Sequence, residues 1–560
     1  MEDVSLLGGE PHVVFLAILL VSVPLAVILS LIVLRRYRKA VLRSMMAAAQ
    51  DGDDTTAMRL ALEDQPGERS GVTELPIQTF DHRSRPEPAP ATGPMRRGGR
   101  ARRRAALVYG VAGALHAAIA TTLLFLFNDI EFLPVRTASV WFLMAWPVVP
   151  TLVLVAVGNR YLKLLGPVAF LAASWLLSPI PFVEFMIIWA VYMGMPTLFL
   201  LAVGNRRLRA VGPILLVVVF LVVGGMLMAL NTLLWLLVSS GNLDVWPVAV
   251  VIGLTMLGGF GLAAWRFLRW IARRFQRKQS SDQMLLLDAW WLLFTLWQCI
   301  FLSIPGGLLG LLGLLAFAGY RLVLGIGLRP LHAAAARLSP ARLLLLRVFG
   351  FRRRSEHLLD ELGLRWRYAG SVQLIAGPDL ATANLEPHEF LEFLGGRLER
   401  GFIKDAGDLE QRLREMDLAP DPDGRFRINE FFCHDDTWRL ALKRLAAESD
   451  GVLMDLRGFS PANRGCLYEL RQLLELVPLP SIILTVDGST DEAFLTATLD
   501  AIWSSLPAGR SPASGPLRIL RVERQSPAEV RQLGTLLDMA VGSSPHRQGA
   551  AAEQATAQRP

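Results

Sequence analysis

Glu469 is the carboxylate in this chain best placed for chemistry. It belongs to residues 450–477, DGVLMDLRGFSPANRGCLYELRQLLELV, an apolar run of strand length followed by a helix. The run is 451–456. Ser460 and Pro461 are read as the helix N-cap and first helical residue, since a proline there gives up no hydrogen bond. Leu467, Leu470, Leu474 and Val477 recur at helical spacing, and Glu469 lies at the edge of that face, two turns in. A strand feeding a helix in this way leaves a crevice at the strand's carboxyl end, where open α/β sheets usually take their ligands. No glycine-rich phosphate loop, metal cluster or nucleophile elbow competes with it. Cys299, Cys433 and Cys466 lie in different settings without ligand spacing and read as reduced thiols.

The elements that must position this carboxylate fill residues 331–541. Strand-like runs at 342–349, 371–376, 451–456, 481–486 and 517–522 alternate with helix-like segments at 355–366, 435–448, 491–506 and 527–539. Residues 386–418 are helical with breaks at Gly395-Gly396 and Gly401, 419–427 form a loop, and Phe431-Phe432 is a short extended piece. Such alternation predicts a doubly wound, mostly parallel sheet with helices on both faces. Residues 542–560 are polar and read as an unstructured tail.

The first half is of another kind. Over 560 residues, 52% are hydrophobic and only 19% charged, and the mean hydropathy is +0.40. That balance fits a polytopic α-helical membrane protein carrying a soluble part. The net charge of +8 would suggest nucleic acid if it formed one patch, but the basic residues flank apolar runs, so no nucleic-acid partner is expected. Nine runs approach the roughly 20 residues a span needs, near 13–34, 106–127, 138–157, 164–180, 185–203, 214–238, 245–264, 284–304 and 308–328. Pro305-Gly306-Gly307 barely separates the last two, so eight and nine spans both stay open. Arg35, Arg36, Arg38 and Lys39 follow the first run, and alternate loops from there carry Arg102–Arg104, Arg160/Lys163, Arg206/Arg207/Arg209 and the 269–278 cluster. Nine spans with the N-terminus outside and the C-terminal domain cytoplasmic satisfy the positive-inside rule at every loop, which places the chain in the cell membrane.

Residues 1–34 thus form the first span, 35–105 a cytoplasmic loop, and 106–330 a multi-span domain of about eight helices. The loop is rich in Pro, Gly, Asp and Arg and reads as mostly disordered. Its basic end, 96–104, is a topology determinant that can also bind anionic lipid head groups. Pro150-Thr151 through Gly158-Asn159-Arg160 recurs as Pro196-Thr197 through Gly204-Asn205-Arg206, an internal repeat read as structural duplication. His116, Asn231, Asp288 and Arg321 are the few polar candidates within or near the spans, and that scarcity argues against transport.

A resemblance appears in the second half. The order is a strand containing Arg347, a helix, a short strand, the His434-Asp435-Asp436-Thr437-Trp438 helix start, a strand, and then Ser460-Pro461 leading to Cys466-Leu467-Tyr468-Glu469-Leu470. It resembles a divergent TIR (Toll/interleukin-1 receptor) domain or a close flavodoxin-like relative, of the kind appended to bacterial membrane proteins. Many TIR domains place Trp-Cys-x-x-Glu-Leu on this helix; here Cys466, Glu469 and Leu470 match, and Gly465 stands where the Trp would be. The resemblance covers roughly 341–506 and breaks between the second strand and Asp435, where the usual signature loop is not recognisable. It implies a cytoplasmic module that engages protein partners or itself. For TIR enzymes it further implies cleavage of the nicotinamide–ribose bond of NAD, with Glu469 as the catalytic carboxylate stabilising an oxocarbenium-like transition state. Arg347 would then pair with phosphate, Trp438 stack on a base, and Asp435 or Asp436 act as a second acid, with Ser460 and Cys466 beside the nucleotide.

Each residue also has a plainer role. Glu469 can pair with Arg464 or Arg471, Asp435 and Asp436 suit a helix N-terminus, Trp438 suits a core, and Arg347 a salt bridge. Three classes of function stay open: a membrane-tethered signalling or interaction protein, which is preferred; a nucleotide-cleaving enzyme using Glu469 with NAD or another nucleotide; and a transporter with a regulatory domain.

Overall fold

The computed structural model describes residues 11–46, 74–81, 93–157, 160–204, 208–240, 246–347, 362–376, 387–396, 398–433, 437–506, 515–523, 526–545 and 547. The chain forms two compact units, a helical one (1–38, 104–331 and 384–396) and an α/β one (39–103, 332–383 and 397–560).

The helical unit comprises α1 (Pro11–Met46), α2 (Pro94–Phe127), α3 (Pro134–Met144), α4 (Val148–Ala156), α5 (Arg160–Leu176), α6 (Phe182–Trp189), α7 (Met195–Val203), α8 (Gly212–Ser240), α9 (Trp246–Gln276), α10 (Asp282–Gly306), α11 (Leu314–Gly327) and α12 (Arg329–Ala336). The end of α1, the start of α2 and most of α12 (332–336) belong to the other unit. Among the described residues, six helical stretches are long and apolar enough to cross a membrane, or seven if α3 and α4, bent by 45°, count as one. This is fewer than the nine runs read from hydropathy. The reason is length and continuity: α5 has only 17 residues, and 282–336 is one helical stretch. Within that stretch the chain nevertheless reverses at Gly307, whose φ of +57° suits glycine. A Cβ on Gly313 would lie 2.7 Å from Cys299 Sγ, Tyr320 stacks on Trp291 at 4.8 Å, and Arg321 pairs with Asp288. α10 and α11 therefore form an antiparallel hairpin.

α10 is the centre of this unit, with Trp290, Trp291 and Phe294 fully buried. The sequence repeat has its physical meaning here. Thr151 and Thr197 each donate to the carbonyl four residues back (2.8 and 2.7 Å) while accepting an indole N–H, from Trp291 at 3.1 Å and Trp146 at 3.0 Å. A Thr197→Val substitution should cost about 1 kcal/mol in thermal unfolding of the detergent-solubilised protein. Thr255→Val, where an exposed hydroxyl bonds only its own helix, should cost close to nothing.

The α/β unit is built on an eight-stranded parallel sheet, β1 (Ile77–Phe80), β2 (Ala341–Arg347), β3 (Gly370–Ala376), β4 (Phe402–Ile403), β5 (Ile428–Cys433), β6 (Gly451–Asp455), β7 (Ile482–Val486) and β8 (Leu517–Arg521). The order across the sheet is β1-β8-β7-β6-β2-β3-β5-β4. Its helices are α14 (Ala406–Arg414), α15 (Thr437–Glu448), α16 (Arg464–Leu476), α17 (Glu492–Ser505) and α18 (Pro527–Gly542); α13 (Pro387–Leu394) belongs to the helical unit and packs on α9. Alternate strand residues face opposite ways. Leu344, Leu346, Val452, Met454 and Leu484 pack with α15, α16 and α17, while Leu343, Leu345, Leu453 and Ile483 pack with α18. Burial on both faces explains why the strands read as unbroken apolar runs.

Several expectations change. Residues 35–105, read as a mostly disordered loop, include the end of α1, the edge strand β1 and the first turns of α2. Their polar composition hides four residues that only the β8 edge makes into a strand, Ile77–Phe80 pairing with Leu517–Leu520. Ser460 is not a helix cap: residues 460–463 form a turn, and α16 starts at Arg464 behind Asn463. Asn463 Oδ1 accepts the Ser460 N–H (2.9 Å) and hydroxyl (3.1 Å), which holds the turn and delays the helix. β4 was not foreseen in the 386–418 stretch. Of the tail, Ser544 and Arg547 both bond Asp450, so its first residues are tied to the start of β6. Most of the 355–366 helix lies outside the described residues, which retain helix only at 362–366.

Candidate functional site

β2 and β6 are parallel neighbours, and their last residues, Arg347 and Asp455, are register partners. The chain leaves β2 toward β3 on one side and returns to β6 on the other, so the direction of winding reverses between them. Loops leaving neighbouring strands on opposite sides part at such a point and leave room for a ligand. α16, which follows β6, brings Glu469 to the same place.

Three of the residues singled out from sequence meet here. Arg347 (3% exposed), Cys466 (2%) and Glu469 (4%) are buried together. Burial pushes the Glu469 carboxyl up to about 8 although the Arg347 guanidinium and a hydrogen bond from the Cys466 thiol both favour its ionised form. The Cys466 thiol is itself raised by burial and by the adjacent carboxyl. Among the described residues, Glu469 Oε2 is buried without a hydrogen-bond partner. Near neutral pH this group is mainly a neutral acid. It can donate a proton or a hydrogen bond, and it becomes an anion for stabilising positive charge only above about pH 8 or once a ligand changes its surroundings.

The other candidates are placed differently. Trp438 is partly buried against the core, edge-on to Tyr468 at 5.4 Å, with Arg439 over both rings. Its ring is therefore used in joining α15 to α16. Ser460 is engaged with Asn463. Asp436, with Asp435, lies outside the described residues.

Sequence reasoning passed over a second cluster at the same strand ends. Arg457 directs Nε and Nη2 at the two oxygens of Asp455, both at 2.7 Å, and Thr485 on β7 donates to Asp455 Oδ1 at 3.1 Å. All three are buried. Two parallel N–H···O bonds fix the guanidinium plane. The signal was present in Asp455-Leu456-Arg457, opposite charges two apart just where an apolar strand ends.

In the helical unit some of the polar groups singled out from sequence are paired within the bundle. His116 Nε2 lies 2.8 Å from Thr295 Oγ1, and Asp288 pairs with Arg321. At the start of α2, Arg96, Arg100, Arg103 and Arg104 are exposed at helical spacing. No protein-family model matches this chain, and comparison with curated proteins and with solved structures found no match.

Proposed function

We propose that this is a multi-pass membrane protein whose α/β unit, a doubly wound module of TIR-like type on the cytoplasmic side of the cell membrane, serves signalling through partner proteins or self-association. The observation that carries this reading is α2. Its residues 94–103 belong to the α/β unit and 104–127 to the helical one, within a single unbroken helix. The α/β end is pinned: Asp538 on α18 accepts the Met95 N–H at 2.6 Å, and Gly98 lies so close to the Arg365 carbonyl that a Cβ would sit 2.6 Å from it. A helix whose residues belong to both units supports the reading in which the two act together.

Nine crossings are the topology we favour. Each apolar run coincides with a helix or a bent pair, and the Gly307 reversal separates the last two. The exposed arginines at the start of α2 suit anionic lipid head groups of the inner leaflet.

The second reading is NAD or other nucleotide cleavage, favoured by one observation, a buried acid with a raised pKa beside Arg347. The two separate in one assay. The full-length protein in nanodiscs is incubated with NAD, with Glu469→Ala in parallel. The signalling reading predicts no NAD loss in either. Loss that falls at least a hundredfold in the variant would replace it with the enzyme reading. Transport, the third class, gains nothing from the Asp288–Arg321 pair, whose charges offset each other.

A further inference from the structure

The end of α9 and the residues that follow it, 265–278, read WRFLRWIARRFQRK. Arg266, Arg269, Arg273 and Arg277 recur at intervals of three and four, so they form one stripe along the helix. All four are exposed, while Ala264, Ile271 and Phe275 on the opposite face are buried. The helix keeps its shape to the last of them: the Arg277 N–H donates to the Arg273 carbonyl at 2.9 Å, and Lys278 then turns the chain with a φ of +57°. Among the described residues none of the four has a carboxylate partner, although Arg209 and Arg321 of the same unit pair with Asp282 and Asp288.

The tryptophans of α9 supply a second, independent observation, a depth for this stripe. Trp246 opens the helix and Trp265 follows it by 19 residues, about 28 Å at a rise of roughly 1.5 Å per residue. That matches the hydrocarbon thickness of a bilayer, about 30 Å, and tryptophan is a residue that favours its two boundaries. Both rings are exposed, as are Val248, Val251 and Leu254 between them, so this length of α9 turns apolar surface outward. Arg266, Arg269 and Arg273 then lie roughly 30–40 Å from Trp246, at the level of the lipid head groups, and Arg277 lies beyond them. The guanidinium of Arg269 sits over Trp265 at 3.7 Å and that of Arg274 over Trp270 at 4.8 Å. Such stacking holds a long side chain in place and leaves the N–H edge of the guanidinium to bond a ligand.

We infer that the basic end of α9 binds the phosphate head groups of anionic phospholipids, with Arg266, Arg269 and Arg273 as the binding residues. The charge of the stripe selects an anion, and the tryptophan boundary selects its source: an anion held where the hydrocarbon begins is one whose chains enter the membrane. Guanidinium suits the task because its fork of N–H groups meets two phosphate oxygens at once. The site is separate from the arginines that open α2, most of which belong to the α/β unit. It rests on the reading of α9 as a membrane span and is independent of what the α/β unit does.

The test uses the full-length protein in phosphatidylcholine nanodiscs that carry a phosphatidylglycerol with a photoactivatable group near the top of one acyl chain. Saturable labelling is expected on peptides covering 254–278, competed by plain phosphatidylglycerol but not by added phosphatidylcholine or by soluble glycerol 3-phosphate. Arg266→Gln, Arg269→Gln and Arg273→Gln should each weaken apparent binding about fivefold, and the triple variant on the order of a hundredfold. Arg277→Gln should weaken it least. The four side chains are exposed, so thermal unfolding should match the parent and confirm that each variant is folded. Equal labelling by a phosphatidylcholine probe, labelling undiminished in the triple variant, or competition by glycerol 3-phosphate as strong as by phosphatidylglycerol would overturn the inference. Failure of the span itself has a different signature, since alkaline carbonate would then release the chain from membranes whatever the lipid, and the site would fall with it.

Discussion

An α/β fragment that starts at residue 331 and omits residues 74–103 will be less stable than the same fragment with that segment joined by a flexible linker, by roughly 5 kcal/mol or more. The segment buries Leu75, Phe80 and Met95 in the two apolar clusters of the sheet. Each such side chain contributes about 1.5–3 kcal/mol. Removing it also strips β8 of the strand that pairs along Leu517–Leu520 and leaves Asp538, 2% exposed, without the Met95 N–H it accepts. A bare parallel edge is an invitation to aggregate. Since a domain holds only about 5–15 kcal/mol in total, the short fragment should sit at or below its folding threshold. Urea midpoints measure the difference, and equal midpoints would show that the segment is dispensable.

The second large effect is a pH dependence carried by Glu469. Its carboxyl titrates at about 8 in the folded chain against an ordinary 4.5. Between those values the folded state holds a proton that the unfolded state has released. Stability contributed by this group is therefore complete below pH 4.5, declines as pH rises, and is gone above pH 8. At 1.36 kcal/mol per pH unit the loss is on the order of 5 kcal/mol. Burial also raises Asp538, which adds a loss of the same sign at lower pH. Glu469→Gln keeps the shape and removes the titration. The variant should match the parent near pH 5 and exceed it by several kcal/mol at pH 9, read by urea unfolding of the fragment that includes 74–103. Parallel pH curves for the two proteins would mean that Glu469 is ionised in the folded state.

How much of this was legible from the chain alone follows from which interactions are local. β2, β6, β7 and β8 were found within two residues at each end because strands buried on both faces are written as apolar runs. α16 and the placing of Glu469 on it followed from leucine spacing. β1 was invisible: Ile77–Phe80 carries a single buried side chain, Phe80, and owes its conformation to a partner more than 400 residues away. The same holds for Asp538 as the cap of α2 and for the β2–β6 register that sets Arg347 beside Asp455. Ser460 was misread as a cap because Ser-Pro is a sound local signal, yet Asn463 three residues on competes for the same donors. At the site, residue types could be read, but the use of Trp438 against Tyr468 and the burial that raises the Glu469 carboxyl come from packing.

The account rests on a tethered α/β module at the inner face of the membrane, and one labelling experiment reaches it directly. Glu475 is exposed on α16, and the native cysteines are all buried, so a Glu475→Cys variant of the full chain offers one accessible thiol. In intact cells a membrane-impermeant maleimide should leave it unmodified, and permeabilisation should bring modification to completion. Modification of intact cells at the permeabilised rate would put the module outside and contradict the account.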